Sequence, residues 1–414
     1  LFIKVLNLSA KVYIDKVTVL TMQERNHLHG IKPIFEVDII KNGLLEIPML
    51  QLLDAHGEEK NKQQSPKLSK EEALKIYKSM AFTRLLDDRM IGAQRQGRIS
   101  FYLACRGEEA AIVASAAALS SDDMIMSQYR EQGALVYRGY TTDQFMNQMF
   151  SNHLDPNKGR QMPIHYGDKA LNFMTISSPL GTQIPQAAGY AYGQKMAGTP
   201  AVTICYFGEG AASEGDFHAG LNMAAVLKCP TIFFCRNNGY AISTPSQEQF
   251  VGDGIASRGV GYGVPTIRVD GNDVLAVYAA TQTARALALA ENTPVLIEAM
   301  TYRLAAHSTS DDPSGYRSKD EEAKWQLRDP LLRFARYLDS KGWFDEKEMD
   351  AYLDKSRENI LAALKRAEKV PVNPLKDIIE DVYDTPPWHL KKQLSELESH
   401  IAKYPQDYPK TAGR

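Results

Sequence analysis

Short, uninterrupted apolar runs alternate with longer stretches of helical periodicity along most of the chain. Residues 202–207 (VTICYF) and 231–235 (TIFFC) are β-branched and aromatic with no polar alternation, the pattern of strands covered on both faces of a parallel sheet. Residues 214–228 between them read as a helix. This predicts a βαβ unit that sets the two strands side by side, or nearly so, with their carboxyl ends on one edge. Open parallel sheets bind ligands at that edge. The alternation runs from a helix opened by Ser69, Glu71 and Glu72 to about Ile297, and predicts an α/β fold, a parallel sheet flanked by helices on both faces. Residues 345–369 have the pattern of an amphipathic helical hairpin, stopped by Val370-Pro371 and Asn373-Pro374. Residues 386–409 are helical in pattern but polar. The first 53 residues carry only short β-prone runs (17–21 and 34–40) and read as an irregular arm, and the polar stretch 58–70, with Pro66, reads as a linker. The expected division is arm and linker 1–68, main domain 69–383 and helical tail 384–414.

Charge and cysteine usage narrow the classes. Lys and Arg total 48 against 50 for Asp and Glu, so no bulk field exists to hold nucleic acid or an anionic membrane. No run of about 18 apolar residues marks a membrane-spanning helix. Cys105, Cys205, Cys229 and Cys235 show neither metal-ligand spacing nor a secreted framework, which points to a reducing interior. Leu1 in place of an initiator Met suggests a processed or truncated chain.

The chemistry gathers where the two apolar runs end. Glu209 and Asn238 each follow one of those strands, so the crossover brings two hard oxygen donors to one place. Magnesium takes few ligands from protein and leaves the rest to water and phosphate oxygens; Glu209, Asn238 and a backbone carbonyl near Tyr240 suit it. Gly208 and Gly210 would let backbone N–H groups approach a phosphate, although a plain strand-to-helix turn also explains them. Arg236, two positions before Asn238, offers a planar fork to phosphate oxygens. A dinucleotide fingerprint would need glycine at Ser213, and no G-x-x-x-x-G-K-[ST] loop occurs.

Residues 208–238 resemble the thiamine diphosphate motif, G-[DE]-G followed across the crossover by N-N. Further blocks extend the likeness: SQYRE from Ser127, GRQMPIH from Gly159, SSPLGTQIP from Ser177, CYFGEGAASEGD from Cys205, FCRNNGYAIST ending at Thr244, IRVDGNDV from Ile267 and HSTSDD from His307. In that order they resemble the α subunits of the E1 decarboxylases of lipoate-dependent 2-oxo acid dehydrogenase complexes. Glu209, where pyruvate-specific members usually carry Asp, and Ser213-Glu214-Gly215 favour the branched-chain branch. A pyruvate or acetoin dehydrogenase α subunit and a non-catalytic scaffold are the alternatives. The likeness is dense over residues 69–383, and weaker from about Tyr13 and in the tail.

The resemblance implies a thiamine diphosphate-binding catalytic domain that decarboxylates branched 2-oxo acids and passes the acyl group to the lipoyl domain of E2. It implies magnesium on Glu209, Asn238 and Tyr240, and cofactor contacts from Gln128, Tyr129, Arg130, Gly210, Ala211, Arg236 and His307. Ser178 would meet the aminopyrimidine through its backbone, and Leu180 would hold the cofactor bent. Ser177, Pro179, Thr182 and Gln183 would coordinate potassium. By composition alone, that last loop is a turn and helix cap, Arg130 a surface ion pair with Glu131, Tyr129 a core aromatic and 305–318 an ordinary surface loop. His307 is the catalytic candidate, since an imidazole titrates near neutral pH; Ala306 stands where animal members carry a second His. Ser308 is the candidate inhibitory phosphorylation site for a kinase and phosphatase. The implied partner is an E1 β subunit in an α2β2 heterotetramer, supplying the glutamate that activates the aminopyrimidine. The implied compartment is the mitochondrial matrix, or a bacterial cytoplasm if no kinase acts.

Overall fold

A computed structural model describes residues 46–408. The runs at 17–21 and 34–40 and the end of the tail lie outside the described residues. The strands, in chain order, are β1 (Met49–Leu50), β2 (Met124–Met126), β3 (Phe173–Met174), β4 (Thr203–Gly208), β5 (Thr231–Asn237), β6 (Tyr240–Ala241), β7 (Thr244–Pro245), β8 (Thr266–Asp270) and β9 (Val295–Met300). Seven of them form one sheet in the order β1-β8-β9-β5-β4-β2-β3, with every pairing parallel. β6 and β7 make a separate antiparallel hairpin. The anticipated βαβ unit is present: β4 and β5 are neighbours, with Cys205 opposite Phe233 and Gly208 opposite Arg236, and the helix Gly215–Leu227 connects them.

Strand periodicity sorts the core into two layers. Ile204, Tyr206, Ile232 and Phe234 point to one face, where they join a cluster with the helices Lys70–Arg95, Glu109–Ala117 and Val274–Glu291. Cys205, Phe207, Phe233 and Cys235 alternate with them and pack on the other face against Gln183–Met196 and Gly215–Leu227. Both faces of β5 are therefore covered, and all of its residues are buried. This explains why polar alternation is missing from the run.

Ser69 opens the helix Lys70–Arg95 as expected. Its Oγ accepts from the Glu72 N–H at 3.2 Å, and the Glu72 carboxylate accepts from the Ser69 N–H at 2.9 Å, a reciprocal capping box. The helical hairpin expected at 345–369 is instead one helix, Glu346–Ala367, capped by Asp345. No glycine or proline interrupts it, and Met349, Ile360, Ala363, Leu364 and Ala367 bury one continuous stripe, so nothing forces the chain to reverse. The tail forms the helix Trp388–Lys403, which buries none of its residues.

Residues ahead of the linker are tied to the sheet. The Leu52 and Leu53 N–H groups donate to the Asp273 carboxylate at 2.7 and 2.6 Å, and Arg333 reaches the Asp54 carbonyl at 2.8 Å. All four cysteines are buried and free. No helix among the described residues is long and apolar enough to cross a membrane.

Candidate functional site

A cleft of about 480 Å³ opens at the carboxyl edge of the sheet. Five strand ends feed it. Gln128, Tyr129 and Arg130 follow β2; Ser178 and Leu180 follow β3; Glu209, Gly210 and Ala211 follow β4; Arg236, Asn238 and Tyr240 lie in and after β5; Arg303 and His307 follow β9. The structure thus brings together all twelve residues expected to contact a cofactor. Ser177, Pro179, Thr182 and Gln183, in the same loop as Ser178 and Leu180 and the first turn of the helix after it, do not line the cleft. Thr182 Oγ1 donates to the Pro179 carbonyl at 3.0 Å, and buried Gln183 donates through Nε2 to the Tyr206 carbonyl at 2.9 Å.

Gly210 is required by crowding, because a Cβ there would lie 2.6 Å from the Ala241 Cβ of the β6–β7 hairpin. Gly208 has room, its nearest neighbour being Gln128 Oε1 at 3.8 Å. A 3-10 turn, Ala211–Ser213, separates Gly210 from the helix Gly215–Leu227. The helix N-terminus is accordingly set back from the glycines.

The electrostatics are unbalanced in an informative way. Glu209 is 1% exposed; its Oε2 accepts from the Asn238 N–H at 3.3 Å, while its Oε1 has no hydrogen-bond partner among the described residues. Burial pushes its carboxyl up to about 7. Asn238 Nδ2 donates to Glu108 at 2.6 Å, and its Oδ1 accepts from the Tyr240 N–H at 3.2 Å. Arg236 lies between two buried acids, Glu108 at 2.6 Å and Glu131 at 2.7 Å. Burial opposes its charge, but Glu131 and Glu108 outweigh that and raise its pKa. Only its Nε is left without a partner among the described residues.

Arg130 is not a surface ion pair. It is 1% exposed, and Glu131 is taken by Arg236. Its donors go to the carbonyls of Ala104 at 2.5 Å and His307 at 2.6 Å, and burial lowers its pKa. Arg303, equally buried, donates to the Ile242 carbonyl at 2.9 Å and to the Tyr316 hydroxyl at 3.2 Å. Among the described residues neither arginine has an acidic partner. Both face His307 Nδ1, Arg130 Nη2 at 3.2 Å and Arg303 Nη1 at 3.5 Å. Guanidinium groups can only donate, so Nδ1 accepts and the ring proton sits on Nε2. Burial, then Arg130 and Arg303, lower the His307 pKa to about 3.

Ser308 turns away from this cleft. It lines a second one of about 560 Å³ with Asp87, Asp311 and Asp329, and its Oγ accepts from the Ser310 N–H at 3.2 Å. Sequence reasoning missed Arg303 and Glu108. Arg303 gave no signal beyond lying four positions before His307. Glu108 had one: it is the first of two acids heading an apolar stretch, EEAAIVASAAAL, and acids in such company are buried only when paired.

Two guanidiniums without an acid and one carboxylate without a cation suit a ligand that carries an anion and a metal together. Glu209 Oε1 would meet the metal, and Arg130 and Arg303 the anion.

The sequence has matching relatives. A family model described as Dehydrogenase E1 component matches residues 77–376. The mitochondrial 2-oxoisovalerate dehydrogenase subunit alpha of Homo sapiens is 53% identical over 369 residues, 89% of this chain and 83% of that protein. Its Caenorhabditis elegans counterpart is 51% identical over 365 residues, 88% of this chain and 84% of that protein. For subunit alpha 1 of Arabidopsis thaliana the identity is 49% over 364 residues, 88% and 77% of the two chains. With an E1 model spanning most of the main domain and half of all aligned positions shared with these proteins, the chain belongs to the dehydrogenase E1 component family, on its branched-chain 2-oxo acid dehydrogenase α-subunit branch.

Proposed function

We infer that this α subunit holds thiamine diphosphate through magnesium and, joined to a β subunit in an α2β2 assembly, decarboxylates branched 2-oxo acids and delivers the acyl group to the lipoyl domain of E2. The relatives' mitochondrial naming supports a place in the mitochondrial matrix. The observation that carries the reading is Glu209 Oε1, buried without a partner among the described residues, in the cleft where Arg130 and Arg303 have no acid of their own.

Glu209, the Asn238 amide oxygen and the Tyr240 carbonyl would hold magnesium, which binds hard oxygens. Arg130, Arg303, the Arg236 Nε, Gln128, Tyr129, Gly210 and Ala211 would take the diphosphate. Ser178 and Leu180 also line the cleft and would take the pyrimidine and hold the cofactor bent. The Ser177, Pro179, Thr182 and Gln183 oxygens would hold potassium and brace that loop. When bound, thiamine diphosphate supplies the carbanion chemistry that lets carbon dioxide leave a 2-oxo acid. This chain's own contribution is to orient and to manage protons. Nε2–H of His307, fixed by the two arginines, is a donor toward the reacting oxygen or toward the diphosphate. Phe101, Leu103, Met162 and Ile242 line the cleft with apolar surface that disfavours water.

We further propose that Ser308 is a phosphorylation switch. A phosphoryl group there adds about −1.5 to −2 charges to a cleft where four aspartates, Asp87, Asp88, Asp311 and Asp329, outnumber two arginines, Arg95 and Arg106, which would drive the His307 loop out of place.

The test is calorimetric titration of the reconstituted α/β assembly with magnesium and thiamine diphosphate, wild type beside Glu209→Ala. The expected loss of affinity exceeds the roughly 10–100-fold that changes outside the ligand shell cost; equal affinity would refute the site. Comparing 3-methyl-2-oxobutanoate with pyruvate as substrates tests the branch, and faster turnover of pyruvate would refute it.

A further inference from the structure

Glu108 is fully buried at the head of the helix Glu109–Ala117. Its position is set by Gly107, held at φ +96° so close to the strand β9 exit that a Cβ would lie 2.3 Å from the Tyr302 carbonyl. From there its two oxygens reach different partners at the end of β5. Oε2 accepts from Arg236 Nη1 and Oε1 from Asn238 Nδ2, both at 2.6 Å. The Arg236 guanidinium can only donate, so the Glu108 carboxylate it meets at 2.6 Å is an ion-paired acceptor.

That restriction decides which end of the Asn238 amide faces which way. An ionised carboxylate cannot donate, so the amide nitrogen must turn to Glu108 and the oxygen must turn away. The oxygen accepts one hydrogen bond, from the Tyr240 N–H, and keeps a second lone pair; the Asn238 backbone N–H meanwhile holds Glu209 Oε2 at 3.3 Å. The amide oxygen and the unpartnered Glu209 oxygen are thereby presented at one strand edge. Glu108 also adds negative potential beside Glu209, since Arg236 must serve Glu108 and Glu131 together.

We propose that Glu108 is a positioning residue for the cation site, locking the Asn238 amide with its oxygen toward the metal. This rests on the magnesium reading above. Glutamine at 108 can turn either end to the amide, which permits a flipped Asn238 that offers hydrogens to a cation.

The experiment exchanges donor and acceptor. In the full chain assembled with its β subunit and saturated with thiamine diphosphate, magnesium affinity is measured by calorimetry for wild type, Glu108→Gln, Asn238→Asp and the double variant. Glu108→Gln is expected to weaken magnesium roughly 10–100-fold, the usual cost of losing a residue that orients a ligand. Asn238→Asp sets two carboxylates against each other and weakens it too. The double variant restores the hydrogen bond with its direction reversed, and regains about tenfold or more over Asn238→Asp. Purely structural damage would accumulate and show no such rescue. Glu108→Gln with wild-type affinity overturns the proposal, as does a double variant no better than Asn238→Asp, a comparison that stands alone if Glu108→Gln does not assemble. A wild-type protein with no saturable magnesium heat overturns the cation reading itself, and this proposal with it.

Discussion

Arg130 and Arg236 are buried to the same degree within one cleft, yet removing them has opposite consequences. Arg236→Gln strands Glu108 and Glu131 in the interior, and breaking a buried pair in this way costs about 3–5 kcal/mol. Arg130 makes no ion pair with an acid among the described residues, its donors going to carbonyls. Arg130→Gln should therefore lower the melting temperature of the ligand-free protein much less than Arg236→Gln, while weakening cofactor binding strongly. Thermal melts with and without cofactor check both halves; equal destabilisation would sink the distinction. His307 supplies the pH dependence. Its folded pKa, about 3, lies below its ordinary 6.5, so the stability it contributes is present above about 6.5 and drains away as pH falls toward 3. In ligand-free protein, melting temperature should fall more steeply between pH 7 and 5 for wild type than for His307→Asn. Parallel curves would argue against the depressed imidazole. Glu209 and Asn238 were legible in the sequence because each sits next to a recognisable strand. The Glu108 pairing was not, since it joins residues 128 and 130 positions apart, and no local pattern encodes such a distance.

The loop after β3 depends on the two helices that follow β3 and β4. Gly220 of Gly215–Leu227 lies against the first turn of Gln183–Met196; a Cβ there would come 2.9 Å from Ile184 Cγ2 and 3.0 Å from the Pro185 nitrogen. Gly220→Ala should cost about 1–3 kcal/mol by overpacking. The contact adjoins Gln183, so the variant should also shift the 177–183 loop and weaken cofactor binding more than a distant substitution of equal cost. Cofactor titration against melting temperature separates the two effects. Elements were readable where their length carried a period. β4, β5 and the helix between them are six residues or longer, and their patterns survive in the sequence. The strands β2 and β3, three and two residues long, are too short to show one, and their loops entered the site only through family likeness. The stretch at 345–369 shows the converse limit: an amphipathic stripe fixes a buried face but does not say whether the chain turns.

At the scale of the molecule, the arrangement is half of a working unit. The cleft offers proposed partners for a cation and an anion and a hydrogen-bond donor, and the β chain is expected to bring the acid on the pyrimidine side. The His307 loop joins this cleft to the one at Ser308. Ser308→Glu, assembled with β, should therefore lower turnover and lipoyl-domain binding about tenfold or more, as a charge added to a cleft where four aspartates outnumber two arginines displaces the loop. Unchanged turnover and binding would remove the switch.

The sheet order β1-β8-β9-β5-β4-β2-β3 also constrains how the chain is made. Met49 and Leu50 leave the ribosome long before their receivers Arg268 and Val269, and Leu52 waits 221 residues for Asp273. Pairings of such separation must close large loops before any contact rewards them, so they form late and leave greasy edges bare meanwhile. For this polypeptide, the slow and hazardous interval of birth is the docking of its first described strand onto nearly its last.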